Sequence, residues 1–204
     1  MGALVILSPL LALLYAAVRV SSPGPTLHRA TRVRPGGTFT LYKFRTMRAQ
    51  SAASGPRVTA TGDRRVTRVG STLRRTKLDE LPQLWNVARG EMALVGPRPE
   101  DPRYVIADDP LHRRVFSALP GITGPTALAY RDEETILADA ALAIARSDGR
   151  VRTSDDDVDR AYRETILPAK LAMDAEYLRT RSTRGDLVIL GRTIGQVLGR
   201  TARR

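Results

Sequence analysis

The sequence predicts an α+β fold: a mainly helical single domain with a small β-hairpin, preceded by a short apolar helix that a proline breaks. Its 204 residues, 42% of them hydrophobic, suffice for one domain with its own core and exclude a chain that is disordered throughout. Apolar and polar side chains alternate over residues 38–44, as in a strand, whereas apolar side chains recur at helical spacing over residues 136–144 and 187–197. These patterns place one hairpin ahead of a predominantly helical remainder.

Residues 1–18 contain no charged side chain and form an apolar leader. As one unbroken helix this leader would span about 27 Å, close to the thickness of the hydrocarbon core of a bilayer. Pro9 interrupts it and bends the helix, which predicts a re-entrant helix that dips into a membrane and returns. The alternatives are a buried core helix and a secretory signal peptide, although a signal peptide begins with basic residues that this stretch lacks.

The formal net charge of +12 is concentrated directly behind the leader. Residues 19–75 hold 13 Lys/Arg and one acid, whereas acids and bases balance over residues 76–204. An apolar segment followed by cations is typical of a protein bound to anionic lipid headgroups. A basic nucleic-acid-binding module is an alternative, since its charge would be similar, but it would not need the leader.

The absence of cysteine excludes disulfides, thiolate metal sites and cysteine nucleophiles. With only two histidines, a zinc site or a Ser–His relay is also disfavoured. The sequence contains no Walker A loop and no GxGxxG motif, so it does not indicate one of the common nucleotide-binding folds. Chemistry therefore has to rest on carboxylates, Lys/Arg side chains and backbone groups.

A cluster of turn-forming residues at 21–25 (SSPGP) predicts a boundary between the leader, residues 1–22, and a body of residues 23–204. Within the body, residues 33–38 predict the turn that precedes the strand of the hairpin. Residues 49–57 predict a mobile loop of small side chains.

Residues 73–83 (LRRTKLDELPQ) carry the side chains best suited to catalysis. Thr76 and Asp79 have the spacing of a capping box and Pro82 suits a first helical turn, which predicts Asp79 and Glu80 at a helix N-terminus. The helix dipole and the neighbouring cations would hold these carboxylates ionised. Such a carboxylate could attack phosphorus or bind Mg²⁺, and the alternative is plain capping with surface salt bridges.

A second rigid segment, residues 96–99 (GPRP), holds Arg98 between two prolines. A guanidinium with restricted mobility suits bidentate contact with a phosphate, although rigid surface loops also carry arginines without such a role. A third rigid turn, residues 120–124 (PGITG), is followed by Arg131.

Taken in order, these segments resemble the bacterial sugar transferase family, the monotopic polyprenyl-phosphate glycosyl-1-phosphate transferases. The resemblance covers nearly the whole chain. Its segments are residues 21–25 (SSPGP), 42–47 (YKFRTM), 63–70 (DRRVTRVG), 73–75 (LRR), 78–87 (LDELPQLWNV), 90–92 (GEM), 94–99 (LVGPRP) and 120–124 (PGITG). Residues 168–171 (PAKL), with Asp174, Tyr177 and Asp186, are similar to one branch of the family.

The resemblance implies a phosphotransferase that acts at a membrane. Members of this family move a sugar-1-phosphate from a nucleotide diphosphate sugar, here expected to be a UDP-sugar, to a polyprenyl phosphate and release UMP, which initiates a surface polysaccharide or glycoconjugate. They require Mg²⁺ and form a covalent aspartyl-phosphosugar intermediate. Carried over to this chain, Asp79 is the nucleophile, Glu80 assists the metal or the second step, and both carboxylates are expected to bind Mg²⁺.

The same resemblance implies further site residues. Lys43, Arg74, Arg98 and Arg131 are expected to bind phosphate groups, and Asp174 is expected among the substrate-binding residues near the active site. After the third rigid turn many members continue Trp-Ala-Gln, where this chain has PTALAYR, so we expect a different subfamily and a different sugar.

The location implied by the resemblance is the bacterial inner membrane, with a monotopic protein whose catalytic domain lies on the cytoplasmic face. The expected partners are a nucleotide sugar donor, a polyprenyl phosphate acceptor and membrane lipid, but no nucleic acid, and a homodimer is left open. The leader is shorter than that of family members and lacks the basic residues before it, so we expect a start upstream of Met1 or a shortened anchor. An inactive homologue that serves as an assembly subunit is the alternative to an enzyme.

Overall fold

The structure, a computed structural model, describes residues 2–48 and 65–201. The loop predicted at residues 49–57, and the first two residues of the 63–70 segment, lie outside the described residues.

The leader forms two helices, α1 (Gly2–Ile6) and α2 (Ser8–Ser21), which meet at Leu7. Pro9 lies in the first turn of α2, where its missing N–H removes no helical hydrogen bond. The predicted interruption of the leader at its proline is therefore confirmed. Over the two described stretches of chain, no helix combines the length and the apolar character needed to cross a membrane.

Strands β1 (Leu27–Arg34) and β2 (Gly37–Phe44) form an antiparallel hairpin, as the sequence predicts. The turn places Gly36 at a φ of 76°, in the left-handed region that favours glycine. The register pairs His28 with Lys43, so both residues lie on the same face of the hairpin. This face carries Lys43 towards the acidic pair.

The remaining described chain is mainly helical and contains a second, parallel two-stranded sheet that the sequence patterns did not predict. This sheet pairs β3 (Ala93–Val95) with β4 (Gly121–Thr123). The helices of the body are α3 (Arg68–Thr76), α4 (Gln83–Ala88), α5 (Pro110–Phe116), α6 (Pro125–Ala129), α7 (Glu133–Ser147), α8 (Asp155–Ala161), α9 (Leu167–Thr180) and α10 (Thr183–Thr201). One-turn 3₁₀ helices occur at Leu78–Glu80 and Pro102–Tyr104, and a π-helical turn at Tyr162–Ile166 joins α8 to α9. The helices predicted over 136–144 and 187–197 are confirmed as parts of α7 and α10, and the fold is mainly helical α+β.

Hydrophobic clusters hold these elements together. The largest lies among α5, α7, α8 and α9, where Val115 and Leu137 are at most 1% exposed. A second cluster packs Val18 of α2 against Phe44 of β2 and Leu73 of α3. The leader helix α2 is therefore seated directly on the hairpin and on the helix that precedes the acidic pair.

Three glycines allow the second sheet to pack closely against its flanking loops. A Cβ atom on Gly121 would lie 2.2 Å from the backbone nitrogen of Gly96, and a Cβ on Gly124 would lie 2.2 Å from the carbonyl oxygen of Gly96. Real side chains do not approach backbone atoms this closely, so glycine is required at these contacts. The contact fixes the start of the segment that carries Arg98.

Replacement of Gly121 by alanine is expected to lower the free energy of unfolding by about 2–3 kcal/mol, because the added methyl group overlaps backbone atoms. Gly191→Ala is the matched control, since Gly191 lies in α10 and a Cβ there would meet nothing within 4 Å. The control variant is expected to gain about 0.5–1 kcal/mol from its better helix propensity. Thermal or denaturant unfolding measures the free energy of unfolding of both variants. Equal values for Gly121→Ala and Gly191→Ala would contradict the close packing at Gly121.

Candidate active site

A cleft of about 1930 Å³ opens between the hairpin, α3, the 3₁₀ helix at Leu78–Glu80 and the start of α7. Six of the seven site residues expected from the sequence line this cleft; they are Lys43, Arg74, Asp79, Glu80, Arg98 and Arg131. The seventh, Asp174, does not line it. The structure therefore brings the acidic pair and the expected phosphate-binding cations into one space.

The acidic pair lies in a short turn between two helices. Helix α3 ends at Thr76, and Lys77 adopts the left-handed conformation, with a φ of 58°, that separates α3 from the next turn. The predicted capping box is wrong, because the Thr76 hydroxyl donates backwards to the carbonyl oxygen of Thr72 at 2.9 Å, within its own helix. Asp79 and Glu80 occupy the 3₁₀ turn that leads into α4.

Asp79 is buried, and one of its carboxylate oxygens has no hydrogen bond within the described part of the chain. It is 8% exposed, and its Oδ1 is buried with no hydrogen-bond partner among the described residues. Burial raises the pKa of Asp79, and the charge of Glu80 raises it further, whereas Lys43 and Lys77 oppose this shift. The expectation that the helix dipole and the neighbouring cations favour the ionised form is therefore wrong for Asp79, because burial outweighs them.

The pKa of Glu80 shifts in the opposite direction, below its ordinary value. Burial alone would raise the pKa of Glu80, but the charges of Lys43, Arg98 and Lys77 outweigh it and hold this pKa at about 2. Lys43 also donates a hydrogen bond from Nζ to Oε1 of Glu80 at 2.7 Å. Glu80 is thus a permanent anion near neutral pH, paired with the cation at the end of β2.

A buried amide fixes this arrangement. Asn86 of α4 is fully buried; its Oδ1 accepts from the backbone N–H of Tyr42 at 3.2 Å, and its Nδ2 donates to the carbonyl oxygen of Thr40 at 2.7 Å and to Glu91 at 2.7 Å. These bonds attach α4 to the edge of β2, next to Lys43. The sequence analysis missed this residue; its only signal was a polar side chain inside the apolar run LWNVA.

Arg98 is held from two sides. Its Nε lies 3.7 Å from Oε2 of Glu133, and its backbone N–H donates to Oδ2 of Asp174 at 3.3 Å. Although burial disfavours the guanidinium cation, the charges of Glu133 and Glu80 outweigh it and raise the pKa of Arg98, so this side chain stays charged. Asp174 therefore sets the position of the loop that carries Arg98, and Glu133 sets the orientation of the Arg98 side chain.

Asp174 lies behind the wall of the cleft, a placement that differs from the expected substrate contact. It is 3% exposed, and its Oδ1 accepts a hydrogen bond from the Thr126 hydroxyl at 2.9 Å. Burial raises the pKa of Asp174 to about 6. The side chain supports the Arg98 loop from inside the protein.

The two other expected phosphate-binding residues are also anchored. Arg74 donates from Nε to the Thr46 hydroxyl at 2.8 Å and pairs through Nη1 with Glu134. Arg131, which also lines the cleft, donates from Nη1 to Oε1 of Gln196 at 3.0 Å. Each expected cation therefore has a defined position.

A buried polar network behind Arg98 was missed by the sequence analysis. Lys170 of α9 is 3% exposed and donates from Nζ to Oε1 of Glu133 at 2.9 Å and to the Tyr162 hydroxyl at 3.0 Å. The Tyr162 hydroxyl donates to Oε2 of Glu100 at 2.6 Å. The network links α9 to the first turn of α7 and, through Glu133, to Arg98.

The chain matches the family model for bacterial sugar transferases over residues 1–200. It is 36% identical over 195 residues to the UDP-glucose:undecaprenyl-phosphate glucose-1-phosphate transferase of Caulobacter vibrioides, a match that covers 94% of this chain and 63% of the relative. It is 35% identical over 199 residues to the undecaprenyl-phosphate glucose phosphotransferase of Komagataeibacter xylinus, covering 94% of this chain and 32% of the relative.

A third relative transfers a different sugar. The UDP-N-acetylgalactosamine-undecaprenyl-phosphate N-acetylgalactosaminephosphotransferase of Aeromonas hydrophila is 40% identical over 126 residues, which are 60% of this chain and 30% of the relative. The chain thus spans less than two thirds of the length of each of these relatives. The family model, in contrast, covers nearly the whole chain, and the resemblance inferred from the sequence is confirmed. The chain therefore belongs to the bacterial sugar transferase family.

Proposed function

We propose that this chain transfers a sugar-1-phosphate from a UDP-sugar to undecaprenyl phosphate and so initiates a surface polysaccharide. The observation that carries the proposal is the position of Asp79, whose buried Oδ1 has no hydrogen-bond partner among the described residues and which faces a cation-lined cleft. The names of the relatives support the donor and acceptor classes, with glucose and N-acetylgalactosamine as the sugars.

In the proposed first step, a carboxylate oxygen of Asp79 attacks the phosphorus that carries the sugar. The bond from this phosphorus to the bridging oxygen breaks, UMP leaves with that oxygen, and an aspartyl-phosphosugar forms. In the second step, a phosphate oxygen of undecaprenyl phosphate attacks the same phosphorus and releases the Asp79 carboxylate. Two steps allow one cleft to receive a soluble donor and then a lipid acceptor.

The cations of the cleft counter the repulsion between the Asp79 carboxylate and an anionic diphosphate. The proposed phosphate ligands all line the cleft; they are Lys43, Arg74, Arg98 and Arg131. Because its pKa lies at about 2, Glu80 is a poor proton donor near neutral pH. We therefore assign Glu80 to positioning Lys43 and to charge balance.

The acidic pair fits a magnesium ion. The described residues contain no group of three or more His, Cys, Asp or Glu side chains that could hold a metal by itself. Mg²⁺, however, is commonly held by one or two carboxylates together with substrate phosphates, and the unpartnered Oδ1 of Asp79 suits this role beside Glu80. When bound with the donor, Mg²⁺ would neutralise diphosphate charge and stabilise the leaving UMP.

We infer that the leader places the cleft at the membrane surface, as a re-entrant helix on the cytoplasmic face. Val5, Ile6, Leu13 and Val20 are exposed large apolar side chains of α1 and α2, whereas Val18 packs against the body. Flotation with anionic lipid vesicles tests this inference. Leu13→Asp is expected to reduce co-flotation severalfold, and a wild-type chain that never floats with vesicles would contradict it.

Release of UMP from a panel of UDP-sugars, with Mg²⁺ and with or without undecaprenyl phosphate, tests the proposed function. We expect sustained release with one donor and the acceptor, and no more than a single turnover without acceptor. An inactive assembly subunit would release no UMP with any donor, and this outcome would contradict the proposal.

The dependence of activity on pH is expected to report on Asp79. Its attack needs the ionised carboxylate, and since burial and the charge of Glu80 raise its pKa, activity should fall as the pH drops through a value above about 3.9, the ordinary pKa of an aspartate. In Glu80→Gln one of the charges that raise this pKa is gone, so the midpoint should move to lower pH. Profiles of kcat/KM against pH measure both midpoints, and identical midpoints would contradict this coupling.

A further inference from the structure

The first turn of α7 places two consecutive carboxylates on the cations of the cleft. Oε1 of Glu134 lies 2.5 Å from Nη1 of Arg74, and Oε2 of Glu133 lies 3.7 Å from Nε of Arg98. Both arginines are proposed ligands of the donor diphosphate. Each of them therefore already has a counter-ion from the same helix turn.

Glu133 is held firmly. Its side chain is 15% exposed, and its Oε1 accepts a hydrogen bond from Lys170, which is buried at 3% exposure. The buried Tyr162 hydroxyl accepts from the same Lys170 amine at 3.0 Å. Moving Glu133 away would leave the buried cation of Lys170 without this partner, which is strongly unfavourable. Glu133 is therefore a fixed partner of Arg98.

Glu134 is held weakly. Its side chain is 44% exposed, and its hydrogen bond and its ion pair are both with Arg74. The pair is open to solvent on the side of Glu134 and only partly buried, so its net free energy is modest and a ligand phosphate can displace the carboxylate. Arg74 keeps a second anchor when Glu134 leaves, because its Nε donates to the buried Thr46 hydroxyl at 2.8 Å. The guanidinium thus stays in place for an incoming anion.

We propose that Glu134 is an exchangeable counter-ion that competes with the donor diphosphate for Arg74, whereas Glu133 is a positioning residue that holds Arg98 for the same diphosphate. The inference rests on the proposed function, because it takes the cleft to be the donor site. Removing the charge of Glu134 should then raise the affinity for the donor, whereas removing the charge of Glu133 should lower it.

Calorimetric titration with UDP, which carries the diphosphate without a sugar, tests this assignment. Glu134→Gln is expected to bind UDP about 2- to 5-fold more tightly, because a competing, partly buried ion pair of modest strength is removed. Glu133→Gln is expected to bind UDP several-fold more weakly, because Arg98 loses its fixed partner. Asp139→Asn is the matched control, since Asp139 is an exposed acid on the same helix that does not line the cleft. Its affinity for UDP should equal that of the wild type.

An unchanged or weaker affinity of Glu134→Gln would overturn the exchange of counter-ions. If Glu133→Gln bound UDP more tightly by the same factor as Glu134→Gln, the distinction between the two glutamates would be overturned. Such a result would indicate a general effect of negative charge. If thermal melting shows that Glu133→Gln does not fold, the affinity of Glu134→Gln for UDP, compared with that of Asp139→Asn, still tests the exchange of counter-ions on Arg74. UMP release by the wild type, measured in parallel, separates the two proposals: a wild type that binds UDP but releases no UMP with any donor contradicts the proposed function alone.

Discussion

Replacing Asp79 with asparagine is expected to reduce UMP release by about 10³-fold or more, because the amide cannot act as the nucleophile. Asparagine has nearly the same size and can occupy the same buried position, so the loss should appear in kcat rather than in donor binding. Initial rates of UMP release at saturating donor, with undecaprenyl phosphate and Mg²⁺, measure the effect.

The stability of this variant provides an independent check. Because burial raises the pKa of Asp79, its ionised form is disfavoured in the folded protein, and this unfavourable contribution is present at pH values above the ordinary aspartate pKa. An asparagine side chain carries no charge to bury, so Asp79→Asn should melt at the same temperature as the wild type or higher near neutral pH. Asp139→Asn, the same change at an exposed position of α7, should leave activity unaffected. Undiminished UMP release by Asp79→Asn would contradict the assigned nucleophile.

Arg98→Lys is expected to lower kcat/KM for the donor by about 10²-fold, because lysine keeps the charge but loses the planar, bidentate hydrogen-bonding geometry. The structure favours a geometric role for this residue: Glu133 orients the guanidinium, and Asp174 holds the backbone N–H of the same residue. Steady-state kinetics with varied donor concentration measures the loss.

A matched control for Arg98→Lys is Arg179→Lys. Arg179 is an exposed residue of α9 that pairs with Glu176 three residues earlier, and it does not line the cleft. Its replacement should leave kcat/KM unchanged. If Arg98→Lys retained activity within about 3-fold of the wild type, bidentate recognition by Arg98 would be wrong, since a lost charge-assisted bond costs more than this.

Local patterns were sufficient to predict the hairpin and the two longest helices, α7 and α10, but not α9, which has 14 residues. The alternation before Phe44 and the turn containing Gly36 determine the hairpin, and helical spacing identifies α7 and α10. The acidic pair and its cations could also be located, because they lie in short segments that resemble one family. The second sheet was missed, since β3 and β4 have three residues each and no alternation of sufficient length.

The expected ionisation is confirmed for Glu80, whose pKa is lowered to about 2, but the raised pKa of Asp79 was not predicted from local sequence. The capping-box spacing at Thr76 suggested a helix start, but α3 still includes this residue and Lys77 turns the chain away. The supporting contacts join distant parts of the chain: Asn86 and Thr40 are 46 residues apart, and Lys170 and Glu133 are 37 apart. Burial of Asp79, the larger cause of its raised pKa, arises from such tertiary packing and could not be predicted from the neighbouring residues, whereas the contribution of Glu80 comes from the next residue in the chain.

The most direct test of the central claim is to trap the intermediate. The wild-type chain is incubated with Mg²⁺ and its UDP-sugar but without undecaprenyl phosphate, quenched in acid, and mapped by peptide mass spectrometry. We expect a phosphosugar on Asp79 in up to one equivalent, with a matching burst of UMP, and its disappearance when undecaprenyl phosphate is added. Continued turnover with acceptor, combined with no covalent adduct on Asp79 at any time point, would contradict the account.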